Sequence, residues 1–272
     1  MISSIFAQIG ARCGDVVERF GDWCVFCART LSRIQSVFGW KTRRLLLPQM
    51  YAVGTLSIPV VMITGAFIGA VLAVQTVMQF KAIGQQAAMG SVINLSVLRE
   101  LGPVLAGVLL AGRVGGGLTA ELGTMRVTEQ IDALRAMGAD PIRVLVMPRF
   151  LACVLMIPVL VFYADFMGIL GGYAISVYVY GTNGAEFWRT ASDTVTHFDM
   201  VYGPIKSIFF GAVLAMIACY KGFHCPPGAA GVGKACTEGF VASTMAVLGL
   251  DFFLGIVLNI IYESIYGIRL VL

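Results

Sequence analysis

The stretch ELGTMRVTEQIDALRAMGADP, from Glu121 to Pro141, separates two strongly apolar segments of the chain. AGVLLAGRVGGGL stands shortly before it, and FLACVLMIPVLVF follows it. Apolar segments of this length are typical of helices that cross a bilayer, which need about 20 apolar residues. The pattern therefore predicts two membrane spans joined by a short, charged helix.

The composition agrees with a membrane protein. Of 272 residues, 58% are hydrophobic and only 12% are charged, whereas soluble domains carry about 25% charged residues. The basic residues are not interleaved with aromatic residues on a polar surface, which argues against nucleic-acid binding.

Five apolar segments are long enough to be spans. Three of them carry pairs of small residues four positions apart, Gly65/Gly69, Gly112/Gly116 and Gly168/Gly172, which let helices approach closely in lipid. We therefore predict an all-α integral membrane protein. The expected spans are residues 52–80, 95–118, 148–180, 203–220 and 239–262.

Residues 1–45 form a separate unit in this interpretation. Apolar residues from Phe6 to Phe38 recur at helical spacing, and arginines occupy the remaining positions. A basic amphipathic helix with aromatic residues is typical of one that lies in the membrane interface. The alternative is a helix that packs on its own chain. Residues 46–272 then form the transmembrane domain.

The distribution of basic residues predicts the orientation. With the N-terminus inside, most of the 19 Lys and Arg residues fall in inside segments, as the positive-inside rule requires. We therefore expect a cytoplasmic N-terminus and a periplasmic C-terminus. The basic residues assigned to outside end regions are Lys81, Arg99, Arg189, Lys206 and Arg269.

The charged stretch has the signals of a short helix. Thr128 is a candidate N-cap, with Thr124 as an alternative one turn earlier. Gly138 is a natural C-terminal stop, and Pro141 prevents continuation. One narrow apolar stripe follows the helix, formed by Val127, Ile131, Leu134 and Gly138.

This stripe favours a helix that inserts into a groove on a partner protein. Cytoplasmic helices that dock on a separate ATPase transmit mechanical work in ATP-driven permeases. The alternative is a loop helix that folds back on its own spans.

Charged residues inside the spans are candidates for function because they are costly in lipid unless they are matched. Arg99 and Glu100 are adjacent, point to different helix faces and cannot pair with each other. Arg113 lies about 21 Å further along the helix and cannot serve either of them. Asp165 and Asp251 are further candidates, for interhelical hydrogen bonding or for function.

Two short motifs are given no function. Cys24 and Cys27 have CxxC spacing but no second pair follows, so we expect two buried small hydrophobic residues. Residues 228–234 match GxxxxGK, but Ala235 stands where a phosphate-binding loop has Ser or Thr. We expect a glycine-rich turn that enters span five.

The sequence resembles a known family. LRELGPVLAGVLLAGRVGGGLTAELGTMRVTEQIDALRAMGADPIRVLVMPR (98–149), PPGAAGVGKACTEGFVAS (226–243) and VLGLDFF (247–253) are similar to the MlaE/YrbE permeases of Mce-type phospholipid ABC transporters. The resemblance covers roughly residues 50–272.

The resemblance implies a homodimeric permease in the inner membrane that handles phospholipid and is not itself an enzyme. It implies a cytoplasmic ABC ATPase as partner, in some systems with a STAS-domain protein, and a periplasmic MCE-domain hexamer. ATP and magnesium would bind to the ATPase, so no cofactor, metal or catalytic residue is expected in this chain.

The resemblance also implies two sets of site residues. The coupling helix of the family corresponds to residues 128–137, and the charged pair of its second span corresponds to Arg99 and Glu100. The predicted ATPase-coupling residues are Thr128, Glu129, Ile131, Asp132, Leu134 and Met137. The predicted lipid-binding residues are Arg99 and Glu100. Four more are predicted apart from the resemblance, as walls of a lipid cavity formed by apolar faces of spans one, two and five: Leu72, Gln75, Met78 and Gln79.

Two other classes of protein fit the sequence less well. A secondary transporter or channel that works without ATP would favour paired broken helices, which the sequence lacks. An intramembrane aspartyl protease could use Asp165 and Asp251, but the GxGD signature of that class is absent.

Overall fold

The computed structural model describes residues 2–33, 40–82, 84 and 88–266. All regular structure in these ranges is helical. The α-helices are α1 (Ile2–Ser32), α2 (Trp40–Val53), α3 (Ile58–Ala82), α4 (Met89–Ser96), α5 (Gly102–Leu110), α6 (Gly116–Val127), α7 (Gln130–Ala136), α8 (Met147–Ala174), α9 (Gly184–Thr194), α10 (His197–Phe223) and α11 (Ala229–Tyr266). Short π-helical segments join several of them: Val97–Leu101, Ala111–Gly115, Ile142–Val146 and Ile175–Val179.

Five long helical stretches are apolar enough to cross a membrane, which confirms the predicted number of spans. They are span one (Arg44–Ala82), span two (Met89–Val127), span three (Ile142–Val179), span four (His197–Phe223) and span five (Ala229–Ile265). Span two continues to Val127, so the first seven residues of the charged stretch extend this span and do not belong to a separate helix. The predicted end of span two, at residue 118, was therefore too early, because polar residues at a span end can continue a helix outside the apolar region.

Span three lies at the centre of the fold and packs against spans one and four. Its contact with span one depends on the predicted glycines. A Cβ atom added to Gly69 would lie 1.7 Å from the carbonyl oxygen of Gly168, and one added to Gly65 would lie 2.4 Å from that of Ala164. The missing side chains let the two backbones touch. By contrast, a Cβ atom on Gly116 would meet nothing within 4 Å, so the Gly112/Gly116 pair makes no comparable contact within the chain.

The second half of α1 packs on its own chain at the end of the bundle that also carries α7. The Phe26 ring lies 5.7 Å from that of Tyr220 and 5.8 Å from that of Phe223. Arg33 forms an ion pair of 3.2 Å with Asp140, just after α7. The alternative interpretation of the N-terminal helix is therefore correct for this half.

Other apolar side chains of α1 remain exposed, among them Val17, Phe20 and Leu31. An interfacial position of this outer face stays a prediction. At the opposite end of the bundle, α9 covers the start of span two, where the Ser91 hydroxyl donates to the Thr190 carbonyl at 2.9 Å.

Candidate functional site

The predicted pair Arg99 and Glu100 lies in the π-helical segment Val97–Leu101 of span two. Pro103 follows the segment and has no N–H to donate to the carbonyl of Arg99, four residues earlier. Lys206 of span four donates to this carbonyl at 3.2 Å. The proline therefore opens the backbone at the point where a second span makes contact, and π-helical segments of this kind are frequent at functional sites.

Arg99 is paired with Asp199, at the start of span four. The guanidinium donates from Nε to Oδ1 of Asp199 at 2.7 Å. The other oxygen of Asp199 accepts from the backbone and the hydroxyl of Thr196, at 2.8 and 2.7 Å, in a capping box. Asp199 is fully buried, so one carboxylate both begins span four and neutralises Arg99.

Lys206 lies at the centre of a second set of contacts. Its ammonium donates to Glu100 at 2.8 Å and to Asp251 of span five at 2.9 Å. Together with the Arg99 carbonyl, these acceptors match the three donors of an ammonium group. The Lys206 side chain is 0% exposed, and full pairing of this kind is what makes a buried lysine tolerable.

Two aromatic rings complete the arrangement. The Tyr202 ring centroid is 4.8 Å from Nζ of Lys206, and the Tyr262 ring centroid is 4.5 Å from Cζ of Arg99. Both distances fall within the range of cation–π attraction. The Tyr202 hydroxyl donates to the Gly255 carbonyl at 3.2 Å, which ties span four to span five.

We call Arg99, Glu100, Asp199, Lys206 and Asp251 the charge cluster. It holds spans two, four and five together, and three carboxylates in it face two cations. Its most accessible members are Glu100, with a side chain that is 47% exposed, and Arg99, with a side chain that is 24% exposed. These two open groups, one of each charge, can bind a polar head group through an acceptor and a donor.

Sequence reasoning found part of this cluster. It expected Arg99 and Glu100 each to need a partner from another span, a head group or water, and span four supplies a partner to both. It also named Asp251. Lys206 was counted only in the outside charge distribution, and its role as the partner of Glu100 and Asp251 was not anticipated. Asp199 was missed, although Asp199 and Lys206 are seven residues apart and therefore share a helix face.

The remaining intramembrane candidates have different surroundings. Arg113 donates to the Ser57 hydroxyl and to the Leu56 carbonyl, immediately before α3 in span one. Asp165 of span three is buried, and neither of its oxygens has a hydrogen-bond partner among the described residues. Interhelical hydrogen bonding therefore holds for Asp251 and not for Asp165.

The other four predicted lipid-binding residues lie on span one. Leu72 packs against a small apolar cluster around Val77 and Phe187. Gln75, Met78 and Gln79 are exposed. Within the described ranges, no hydrogen bond or ion pair joins these four residues to Arg99 or Glu100, and their role in lipid binding stays a prediction.

The helix between spans two and three begins differently from the prediction. Its N-cap is Glu129, which adopts a left-handed conformation with φ of 59°. Thr128 ends span two, and its hydroxyl donates to the Thr124 carbonyl at 2.8 Å. Neither Thr128 nor Thr124 is therefore the cap, because each hydroxyl bonds backward within span two.

The end of α7 agrees with the prediction. Gly138 has φ of 75°, a conformation that glycine adopts without strain. The amides of Gly138 and Ala139 donate to the carbonyls of Arg135 and Leu134, both at 3.0 Å, and close the helix.

The apolar stripe of α7 faces its own chain. Ile131 is fully buried, and Leu134 is partly buried against the main core. Asp132 accepts from Arg126 and, at 2.9 Å, from Arg135. The stripe therefore anchors the helix, as the alternative interpretation expected. The exposed face consists of Glu129, Gln130, Ala133, Arg135, Ala136 and Met137, and the Met137 side chain is 73% exposed.

The expectations for the two short motifs, Cys24/Cys27 and residues 228–234, are confirmed only in part. Cys24 is exposed, contrary to expectation, whereas Cys27 is half-buried against the main core. Burial and the neighbouring Cys24 raise the pKa of Cys27 to about 11, so it is a neutral thiol at pH 7. Residues 229–234 are already helical, and Nζ of Lys234 lies 4.0 Å from Glu238.

The helical fold and the five spans define a multi-pass membrane protein with a charge cluster between three of its spans. Residues 46–257 match the family model described as Permease MlaE. The chain belongs to this family of permeases.

Curated relatives agree with this assignment. A probable ABC transporter permease of Rickettsia conorii is 37% identical over 91% of this chain and 95% of its own length. A probable ABC transporter permease of Synechocystis is 42% identical over 78% of this chain and 81% of its own length. The intermembrane phospholipid transport system permease MlaE of Haemophilus influenzae is 38% identical over 77% of this chain and 81% of its own length.

Proposed function

We propose that the chain is the permease subunit of an ATP-driven phospholipid transporter, which moves glycerophospholipid between the inner membrane and a periplasmic MCE-domain partner. One observation carries the proposal. Span two holds Arg99 and Glu100 near one end and leads directly into α7 at the other. Val127 follows Glu100 by 27 positions, which corresponds to about 40 Å of helix. A single element can therefore link a polar lipid head group to a partner that hydrolyses ATP.

In this proposal α7 is the coupling helix. Its buried side holds it to the permease, so a push on its exposed side moves span two. The exposed Met137 offers an apolar contact to a groove on a cytoplasmic ABC ATPase, which binds ATP and magnesium. The permease itself contributes no catalytic residue.

The active unit is a homodimer in this proposal. Span five is the least buried of the five spans, and its large apolar side chains Phe252, Phe253, Ile256 and Ile260 are exposed. A second copy can cover part of this face, with phospholipid between the two subunits. The N-terminus is cytoplasmic and the C-terminus periplasmic, and a STAS-domain protein can join the ATPase side.

Variants at the two ends of span two test the proposal. The permease and its co-expressed ATPase are purified by a tag on the permease, and lipid transfer is measured after reconstitution. Met137→Lys should abolish co-purification of the ATPase, because it places a charge in the apolar contact. Glu100→Gln should keep the ATPase bound but lower lipid transfer.

The matched control is Thr124→Lys, which adds the same charge at an exposed position of span two outside α7. It should leave both measurements unchanged. Unaltered ATPase binding by Met137→Lys would contradict the coupling role of α7. Normal lipid transfer by Glu100→Gln would exclude the charge cluster from lipid handling.

A further inference from the structure

A cavity of about 450 Å³ lies between α1, α7 and the adjoining ends of the spans. This volume falls within the range of small-molecule sites. Span four has 27 residues, which correspond to about 40 Å of helix and match the thickness of a bilayer with its head groups. Phe223 ends this span and lines the cavity, so the cavity lies at the level of the lipid head groups.

Arginine side chains from three elements line the cavity. Arg29 belongs to α1, Arg126 to the end of span two and Arg135 to α7. Arg29 is exposed, and its guanidinium makes no hydrogen bond or ion pair within the described part of the chain. All the N–H donors of this guanidinium are therefore available to a ligand.

The other two arginines share one carboxylate. Asp132 accepts from both Arg126 and Arg135, and a single carboxylate neutralises only one of the two guanidinium groups. Each guanidinium also keeps N–H donors beyond the one that it gives to Asp132. The side chains of Arg126 and Arg135 are 38% and 56% exposed, so a ligand in the cavity can reach these donors.

Two carboxylates in the lining reduce the positive charge without cancelling it. Both oxygens of Asp140 are occupied, because Arg33 forms an ion pair with one and the amide of Ile142 donates to the other at 3.1 Å. Asp22 is exposed. With Arg33 and Asp132 included, four arginines stand against three aspartates, which leaves an excess of one positive charge.

This set of donors suits a phosphate group. A guanidinium presents its N–H groups in a planar fork that matches the oxygens of a phosphate, and charged hydrogen bonds of this kind are among the stronger ones. Three guanidinium groups from three elements can contact one phosphate from different sides. The excess of positive charge favours a ligand with a net negative charge.

The rest of the lining indicates what carries the phosphate. Val25, Phe26 and Ile142 place apolar side chains in the cavity beside the arginines. On α1, the apolar side chains of Phe20 and Leu31 are exposed near the cavity. A free phosphate has no apolar part to contact these residues. A membrane lipid has one, because its phosphate is joined through glycerol to acyl chains.

We propose that this cavity binds the phosphate group of an anionic membrane lipid through Arg29, Arg126 and Arg135. The site lies at the opposite end of span two from the charge cluster, and the proposal does not depend on the proposed transport function. A bound lipid would tie α1 to α7, because the three guanidinium groups come from α1, span two and α7.

Thermal unfolding of the full-length chain in a neutral detergent tests the proposal, because a ligand that binds only the folded state raises the unfolding temperature. Two lipids with identical short chains are titrated. Phosphatidylglycerol is anionic, whereas phosphatidylcholine carries the same phosphate without a net charge. Inorganic phosphate at matched ionic strength is the third ligand and separates a free phosphate from a lipid.

Phosphatidylglycerol should reach its half-maximal temperature shift at a concentration about tenfold lower than phosphatidylcholine, as expected for one additional charged contact. Inorganic phosphate should give no shift. Arg29→Gln should remove most of the preference for phosphatidylglycerol. The matched control is Arg143→Gln, which removes an exposed arginine at the same end of the bundle but outside the lining, and should keep the preference.

Val25→Trp gives an independent test, because Val25 is exposed in the cavity wall and a larger side chain there fills the cavity without changing any charge. It should also abolish the preference. Equal half-maximal concentrations for the two lipids in the parent protein would overturn the proposal. A preference that survives both Arg29→Gln and Val25→Trp would overturn it too, since the lipid would then bind elsewhere. A shift with inorganic phosphate and none with lipid would assign the cavity to a free phosphate instead.

Discussion

The two ends of span two are built in different ways. At the end that leads into α7, Asp132 takes its partners from Arg126 and Arg135, six and three residues away in the sequence. At the other end, Arg99 and Glu100 take theirs from residues 100 and 106 positions away. The local contacts are solvated, whereas the distant ones enclose a fully buried lysine. Because loss of one partner costs more for a buried ion pair than for an exposed one, the end that contains Lys206 should be the more sensitive to substitution.

Removal of the buried cation should give the largest effect. Lys206→Met leaves Glu100 and Asp251 without their ammonium partner and should cost about 3–5 kcal/mol, because one partner of a buried pair is lost. Thermal unfolding of the purified protein in detergent measures the change.

Lys221→Met is the matched control on the same span. Lys221 pairs with Glu238 at 2.7 Å, but both side chains are partly exposed, so the loss should be about 0–1 kcal/mol. Equal losses of stability in the two lysine variants would contradict a larger contribution from the buried ion pairs.

At the end of span two that leads into α7, the buried and the exposed side of this helix can be compared. Ile131→Ala should cost about 2–5 kcal/mol, because a fully buried side chain leaves a cavity. Met137→Ala should change stability by less than about 0.5 kcal/mol, since this side chain is exposed. Both values come from the same unfolding assay. A large loss of stability in Met137→Ala would show that the exposed face also packs on the chain.

Glycines give the smallest expected effects. Gly102→Ala, beside the charge cluster, forces a Cβ atom to within 1.8 Å of Asp165 and should cost about 1–3 kcal/mol. Gly116→Ala, further toward α7, places a Cβ atom in open space and should stabilise the helix by up to about 1 kcal/mol. Thermal unfolding shows whether each substitution lowers or raises the stability of the protein. Stabilisation by both variants would mean that the backbone near Asp165 has room to adjust.

Local patterns predicted much of the fold. The five spans follow from apolar runs, and the Gly65/Gly69 and Gly168/Gly172 pairs follow from their spacing. Gly138 ends α7 because few residues besides glycine adopt its backbone conformation easily. The predicted caps failed because a threonine hydroxyl can equally bond backward to the carbonyl four residues earlier, and both Thr124 and Thr128 do so.

The candidate site was predictable only in part, because its contacts join residues that are far apart in the sequence. A charged residue within an apolar run signals that it needs a partner, and this identified Arg99 and Glu100. The signal does not say which residue the partner is. Lys206 stood near a predicted span end and was therefore counted as an outside residue, although its surroundings bury it completely.

The sequence by itself determined that this chain crosses the membrane five times and carries a short charged helix between spans two and three. Both features depend on contacts within one helix or with the bilayer, and such contacts are readable from periodicity and composition. Only the tertiary structure decided that Lys206 joins Glu100 to Asp251, that Ile131 anchors α7, and that Asp165 has no hydrogen-bond partner among the described residues. These outcomes depend on which helices lie side by side, because a buried charge is tolerated only where another span supplies its partner.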